Sequence, residues 1–477
     1  LYGAIFSVDY LYTDEAAELW HFKNGFNYGT YVGQGRYLMY KVFETTFSSI
    51  HTVHAVVYAR TVSLLGWIVC LPVWYYIMSV LVVKNGFSKM LVLCSMIYLV
   101  SMPTVAISIG WTSCMELFIA YTTGLVSGYI LWSGITCEGE RIRVSFISLA
   151  LSVLFGVISL FTYQNGFGCF LIPFLLPFIS LKKVTRNTYI GIGIYLFIYV
   201  VYYLLFKYSI KALGLELNSR TSFAVNPVDK LLFFFKHTMP GAFRFTWLFN
   251  EKSIVGVIVS FLIASAWIIA GFARQKDKNL REKLAYFFFL VPFLVLIYLP
   301  SIIVRENYSS NRTTLALYMA VFLLVTETVF SFIRQQKTAY MVTGAIALLL
   351  LGSGWYNFNK QFIDPVAAEY SSVKKIVLDR YNAGARDIYV IRPGEDAFKK
   401  KYGIVPSWDE FGVPSTAKSW TPEPLIRQII FEKTGNRQKA ESIPIKSWAD
   451  QETFKASGEA VGQGTLLIDL EKMIAGQ

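Results

Sequence analysis

The chain alternates between long apolar runs and short polar gaps. Stretches such as 189–208 and 253–273 reach the roughly 20 apolar residues with which a helix crosses about 30 Å of hydrocarbon. Ten such runs predict spans at 61–83, 89–110, 113–135, 143–161, 166–181, 189–209, 253–273, 284–304, 313–333 and 338–355. The fifth is short and holds Pro173 and Pro177, which blur its ends. Inside hydrocarbon each backbone N–H and C=O must find a partner within its own segment, so repeated spans predict a helical bundle.

Three polar stretches interrupt this pattern: an opening segment (1–60), a loop (210–252) and a tail (356–477). The opening segment crowds Asp9, Asp14, Glu15, Glu18, His21 and Arg36 into a short space. Residues 39–60 keep helical periodicity, and Tyr37, Tyr40, Phe43 and Tyr58 suit helices lying along a membrane interface. In the tail, a helix is expected over 367–381, capped at Asn382-Ala-Gly384. A second should cover 424–433 and stop at Gly435, with strands at 387–391 and 465–470. The expected architecture is an α-helical polytopic membrane protein with a small extracytoplasmic α/β C-terminal domain.

Composition agrees: 55% of residues are hydrophobic and 17% aromatic, and the mean hydropathy is +0.47, which excludes a soluble globular chain. The net charge of +13 does not point to nucleic acid, because the basic residues fall in alternate loops. Lys84 and Lys89, Arg141 and Arg143, Lys182, Lys183 and Arg186, the run Arg274, Lys276, Lys278, Arg281 and Lys283, and Arg334 with Lys337 form this set. The positive-inside rule makes these loops cytoplasmic. Residues 1–60, 110–112, 162–166, 210–252, 304–312 and the tail then lie outside. An outer opening segment requires one more span before it, and 1–6 reads as the end of an apolar segment, so a first span is expected to be missing. The five cysteines (70, 94, 114, 137 and 169) avoid the opening segment and tail and show no CxxC spacing, so no disulfide is expected to hold the polar parts together.

Polar residues at span ends gather mainly on the outer side: Glu116, Tyr163, Gln164, Arg305, Glu306 and Arg312. Glu116 is read either as a packing salt bridge or as a cavity group. Arg305 and Arg312 suit lipid headgroups or a bound phosphate. Asp14 and Glu15 also have two readings. If Thr13 caps a helix, they are first-turn acids favoured by its dipole, diverging by ~100°. In the other reading, Asp14 is a general base that deprotonates an acceptor hydroxyl. Arg36, Arg305 or Arg312 would then hold a departing phosphate, since guanidinium forks match phosphate oxygens. His21 with Asp14 or Glu18 would suit a divalent cation, but a histidine beside Trp20 reads better as a packed interfacial residue, so no metal ligand is assigned. The sequons at Asn307 and Asn311 are read as chance matches.

The acidic pair in the first outer loop, the interfacial helices, about eleven spans and an outer tail together resemble the GT-C superfamily of membrane glycosyltransferases. Thr13-Asp-Glu15 followed by Gly35-Arg36 is similar to the "acidic pair, then Gly-Arg" pattern of bacterial O-antigen glucosyltransferases, and Tyr163-Gln164 is similar to a Tyr-Gln pair in that group. The resemblance covers residues 1–355. It implies transfer of a sugar from a polyprenyl-phosphate donor to a glycan or lipid-linked acceptor at the outer face of a bacterial cytoplasmic membrane, as in polysaccharide biosynthesis of the cell envelope. Asp14 would be the base, with Glu15 the second choice; Arg36, His21, Glu116, Tyr163, Gln164, Arg305 and Arg312 would line the substrate site. Glu15 departs from the second Asp of the pattern, and the segment 408–416 has no counterpart in the group. That segment is expected to hold the acceptor or to pack over the opening loop. The competing reading is a transporter or flippase of a lipid-linked saccharide, for which Glu327 in mid-span is the best feature.

Overall fold

The computed structural model describes all residues except 24, 139–140, 182–183, 217, 219–220, 245–253, 276–278, 383–385, 408–409 and 476–477. Lys182, Lys183, Lys276 and Lys278 of the basic loops, part of the 210–252 loop, the expected cap at Ala383 and Gly384, and Trp408 therefore lie outside the described residues. Among the described residues, six helices are long and apolar enough to cross a membrane: Val56–Lys84, Thr112–Gly134, Arg186–Ala212, Ile254–Arg274, Asn311–Ser331 and the continuous Gln336–Asp379. Met90–Ser101 and Pro103–Gly110 together pass the same test but are bent by 41°. The bend follows from Pro103, which holds Met102 extended (ψ 142°) and lacks a donor for the preceding turn. The other expected runs are helical too, as Phe146–Thr162, Gln164–Ser180 and Leu280–Ile297. The chain is a multi-pass helical membrane protein.

Asn311–Ser331 is buried along most of its length and forms the centre, whereas Ile254–Arg274 is exposed along most of its length. Small residues make one close helix contact. Gly124 and Gly128 bring Thr112–Gly134 against the backbone of Gln164–Leu171, where a Cβ on either glycine would strike the carbonyl oxygens of Gly166 and Phe170.

Two boundaries differ from expectation. The interfacial run expected over 39–60 is shorter: Tyr37–Phe47 is a separate helix, and Val56 already starts the long helix. No glycine or proline lies between Val56 and Gly66 to stop it, so Tyr58 and Arg60 sit on its first turns. At the other end, the helix from Gln336 passes through a π turn at Asn357–Ile363 into Asp364–Asn382. The change in composition near 356 marks a change of surroundings, and backbone hydrogen bonds run through it unbroken.

The tail carries a three-stranded parallel sheet with Asp387–Ile391 between Ile445–Trp448 and Thr465–Asp469. Ile388 faces Ile445 on one side and Leu466 on the other. Ile445–Trp448 is absent from the sequence expectation because it is a short edge strand whose middle residues, Lys446 and Ser447, are exposed and break apolar alternation. The helix Pro422–Thr434 ends at Gly435 in a left-handed conformation (φ 66°), as the sequence implied.

Gly128→Val should force the two backbones apart, an overpacking penalty of about 1–3 kcal/mol. Thermal melting in detergent followed by size-exclusion fluorescence should show a lower midpoint than wild type, and an unchanged midpoint would contradict the close packing.

Candidate functional site

The opening helix, Asp14–His21, begins the site. Thr13 stands at its N-cap position but does not cap it with its side chain: its backbone is held at φ 42° and its buried Oγ1 has no partner. The helix separates the two acids by direction. Glu15 turns inward and is fully buried, accepting from the backbone N–H groups of Tyr12 (2.7 Å) and Thr112 (2.8 Å) and pairing with Arg60 at 2.7 Å. The Arg60 guanidinium also donates to Tyr10 O and lies 3.4 Å from the Tyr10 ring centroid. With both carboxylate oxygens committed, Glu15 acts as an anchor, and the expectation that it serves as second choice of base is set aside on this geometry.

Asp14 points the other way, half-buried, and its Oδ1 accepts from the Trp420 indole N–H at 2.8 Å. One turn on, Glu18 is buried and accepts from Tyr31 OH and Ser113 Oγ, both at 3.0 Å. Burial first, and then the charge of Asp14, push the Glu18 carboxyl well above the usual carboxylate range. The Tyr31 hydroxyl lies within the fields of Glu18, Asp14 and Glu116, and burial among them raises its pKa well above the usual phenol value. Asp14 itself does not line the second half of the site.

That half is a cavity of about 390 Å³. Arg36, Tyr163, Gln164 and Arg312, four of the residues singled out from sequence, line it together with Gln34, Asn165 and Tyr308. Gly35 makes the entry to Arg36 possible: it is left-handed (φ 74°), and a Cβ there would strike the Tyr202 hydroxyl. The Arg36 guanidinium lies 4.4 Å from the Tyr163 ring centroid, and its Nε contacts Gln164 Oε1 at 3.4 Å. Gln164 Nε2 in turn donates to Gln34 O (2.7 Å) and to Tyr202 OH (2.8 Å). Val200, Phe206, Phe223, Ile303 and Val304 give the lining an apolar part, beside polar Thr221, Ser301, Glu306 and Thr313. Behind the lining residue Glu306, buried Lys230 donates to its backbone oxygen at 2.6 Å, and burial lowers the Lys230 pKa.

Arg312 is held by the tail. Its guanidinium stacks 4.8 Å from the Trp111 ring centroid, donates to Tyr308 OH and pairs with Glu410 at 3.4 Å. Fully buried Glu410 also accepts from Asn311 N (2.7 Å), Asn311 Nδ2 (2.9 Å) and Arg312 N (3.1 Å), so it caps the N-terminus of the central helix. Asn311 is buried in this contact, which removes its sequon from reach. The tail also covers the opening segment: Ser415 Oγ donates to Leu11 O, Thr421 Oγ1 to Thr13 O and Arg437 to Trp20 O.

Three other expectations fall elsewhere. Glu116 is the buried residue immediately before Leu117–Gly134, close enough to Arg36 and Arg312 to feel both charges, but it does not line the cavity. Arg305 is exposed and fixed through its backbone N–H to Ser222 O, with its neighbours Val304 and Glu306 lining the cavity instead. His21 stacks on Phe26 and sits near Glu423, Arg427 and Arg437, and burial holds its pKa below the ordinary value. Among the described residues, no group of three or more His, Cys, Asp or Glu side chains is gathered for a metal ion.

Sequence reasoning missed Arg60, Tyr31, Glu410 and Trp420. Arg60 carried a usable signal, a charge in the first turns of an apolar helix; Glu410 lay in the 408–416 segment that matched no known pattern. No protein-family model, curated protein or solved structure matches the chain.

Removing one member of the Glu15–Arg60 pair leaves the other charged and buried. Arg60→Met should therefore destabilise by about 3–5 kcal/mol, and Glu15→Met added to it should recover much of the loss. Melting of the purified single and double variants checks this, and an Arg60→Met protein as stable as wild type would refute it.

Proposed function

We propose that this protein is a GT-C-type membrane glycosyltransferase that moves a sugar from a polyprenyl-phosphate donor to a saccharide acceptor. The observation that carries the reading is the cavity that Arg36 and Arg312 line together with Val200, Phe206, Phe223, Ile303 and Val304. Two guanidinium groups beside an apolar wall suit a ligand with an anionic phosphate head and a long hydrocarbon tail. A soluble nucleotide sugar would have no use for that wall.

In this reading Asp14 takes the proton from an acceptor hydroxyl. The acceptor oxygen then bonds to the anomeric carbon, and the bond from that carbon to the phosphate oxygen breaks. Its electron pair leaves on the lipid phosphate, where Arg36 and Arg312 stabilise the developing charge. Tyr163 and Gln164 keep Arg36 oriented, and Glu410 does the same for Arg312. The alternating basic loops support ten spans, with the opening segment, the cavity and the tail on the extracytoplasmic side of a bacterial inner membrane. Acceptors there are cell-envelope glycans such as O-antigen, or lipid-linked saccharides.

The transporter reading loses its best feature. Glu327 pairs with Arg274, and the cavity beside them holds only about 10 Å³, no more than a water molecule needs.

Transfer from a panel of polyprenyl-phosphate hexoses, measured with the full chain in proteoliposomes, tests the assignment. Asp14→Asn should fall by about 100- to 10,000-fold, as loss of a general base implies, while elution and melting stay unchanged. Arg312→Ala should raise the donor KM by about 10-fold or more, the worth of a charge-assisted phosphate contact. Full turnover by Asp14→Asn would end the proposal.

A further inference from the structure

Among the exposed large side chains of the tail, Trp420 is the one bonded to the proposed base. It remains half exposed (50%), although burying an indole is the usual outcome for so large an apolar surface. The chain on either side is tied down: Ser415 and Thr421 bond to Leu11 O and Thr13 O, and Thr421 N closes a turn on Lys418 O at 3.2 Å. The ring is therefore held in position by its surroundings, and its N–H reaches Asp14 Oδ1 across 406 residues of sequence. An N–H bonded to the proposed base and about half of the residue's surface left open allow two separate uses of one side chain.

We propose that Trp420 forms the acceptor subsite: its N–H orients Asp14, and its exposed part receives the apolar face of an acceptor pyranose ring. The inference rests on Asp14 as the base. A pyranose presents C–H groups on its faces and hydroxyls around its rim, so its C–H face matches the negative π-face of an indole. Stacked there, a ring hydroxyl lies next to the carboxylate that the indole edge holds. The hydrogen bond favours this occupant over a membrane-anchoring role, because an interfacial tryptophan directs its N–H to headgroups and water, whereas this one is committed to Asp14.

Saturation-transfer NMR on the full chain in nanodiscs, with methyl glucopyranosides and galactopyranosides as probes, reads the subsite without any turnover. Transfer to the pyranose ring protons should be strong in wild type, Trp420→Phe and Asp14→Asn, and lost in Trp420→Ala. No transfer to wild type, or equal transfer to Trp420→Ala, overturns the subsite; equal transfer with poorer membrane retention of Trp420→Ala would mark an anchor instead. Turnover separates the two uses. Trp420→Phe, which keeps a ring without the N–H, should lose about tenfold in kcat with the acceptor KM unchanged, the worth of a hydrogen bond to a charged group. Trp420→Ala should also raise the acceptor KM. A kcat for Trp420→Phe equal to wild type, alongside an inactive Asp14→Asn, would overturn the positioning role and leave the base intact. An active Asp14→Asn would remove the base itself, while the NMR arms still decide the sugar seat.

Discussion

The contact on which the polar end of this molecule depends is the buried pair of Glu15 and Arg60, 2.7 Å apart and closed to water. Two such charges are tolerated in a dry interior only when their remaining hydrogen-bonding capacity is largely met. Here Glu15 takes two backbone N–H groups, and Arg60 gives to a backbone carbonyl and stacks on Tyr10. These bonds tie the opening helix to the long helix Val56–Lys84 and to the Thr112 turn at once. Asp14, one residue away, inherits its direction from that anchorage, because successive residues on a helix face directions ~100° apart.

A second constraint comes from the tail. Glu410 caps the central helix and pairs with Arg312, while Trp420 reaches Asp14. One stretch of about a dozen residues thus touches both the cavity and the opening helix. The tail therefore braces both parts of the site, and a chain shortened before it would lose Glu410 beside Arg312 and Trp420 beside Asp14 together. Its continuous helical connection to the last membrane helix gives this brace a stiff mount.

The convergence of Arg36, Tyr163, Gln164 and Arg312 on one cavity was partly legible in sequence, since each stood at a polar gap between apolar runs on the same expected side. Arg305 met the same criterion and lies outside, because its position is decided by a backbone bond to Ser222 and by which way a short irregular turn faces. His21, read as a packed interfacial residue, stacks on Phe26 and sits near Arg427 and Arg437 of the tail, two residues more than 400 positions away. Local spacing cannot register a partner that distant.

By itself the sequence determined that the chain is helical and embedded in a membrane, because the bilayer admits so few ways of satisfying a backbone. It also determined where polar side chains must cluster, since charged groups are expelled to the ends of apolar helices. The tertiary structure decided which member of the acidic pair at 14 and 15 is spent on anchoring and which remains at the surface of the site. Periodicity sets the angle between the two residues but not the direction of either. The direction is set by Arg60, 45 residues downstream, and by Trp420, 406 residues downstream, through contacts that exist only once the helices and the tail are packed.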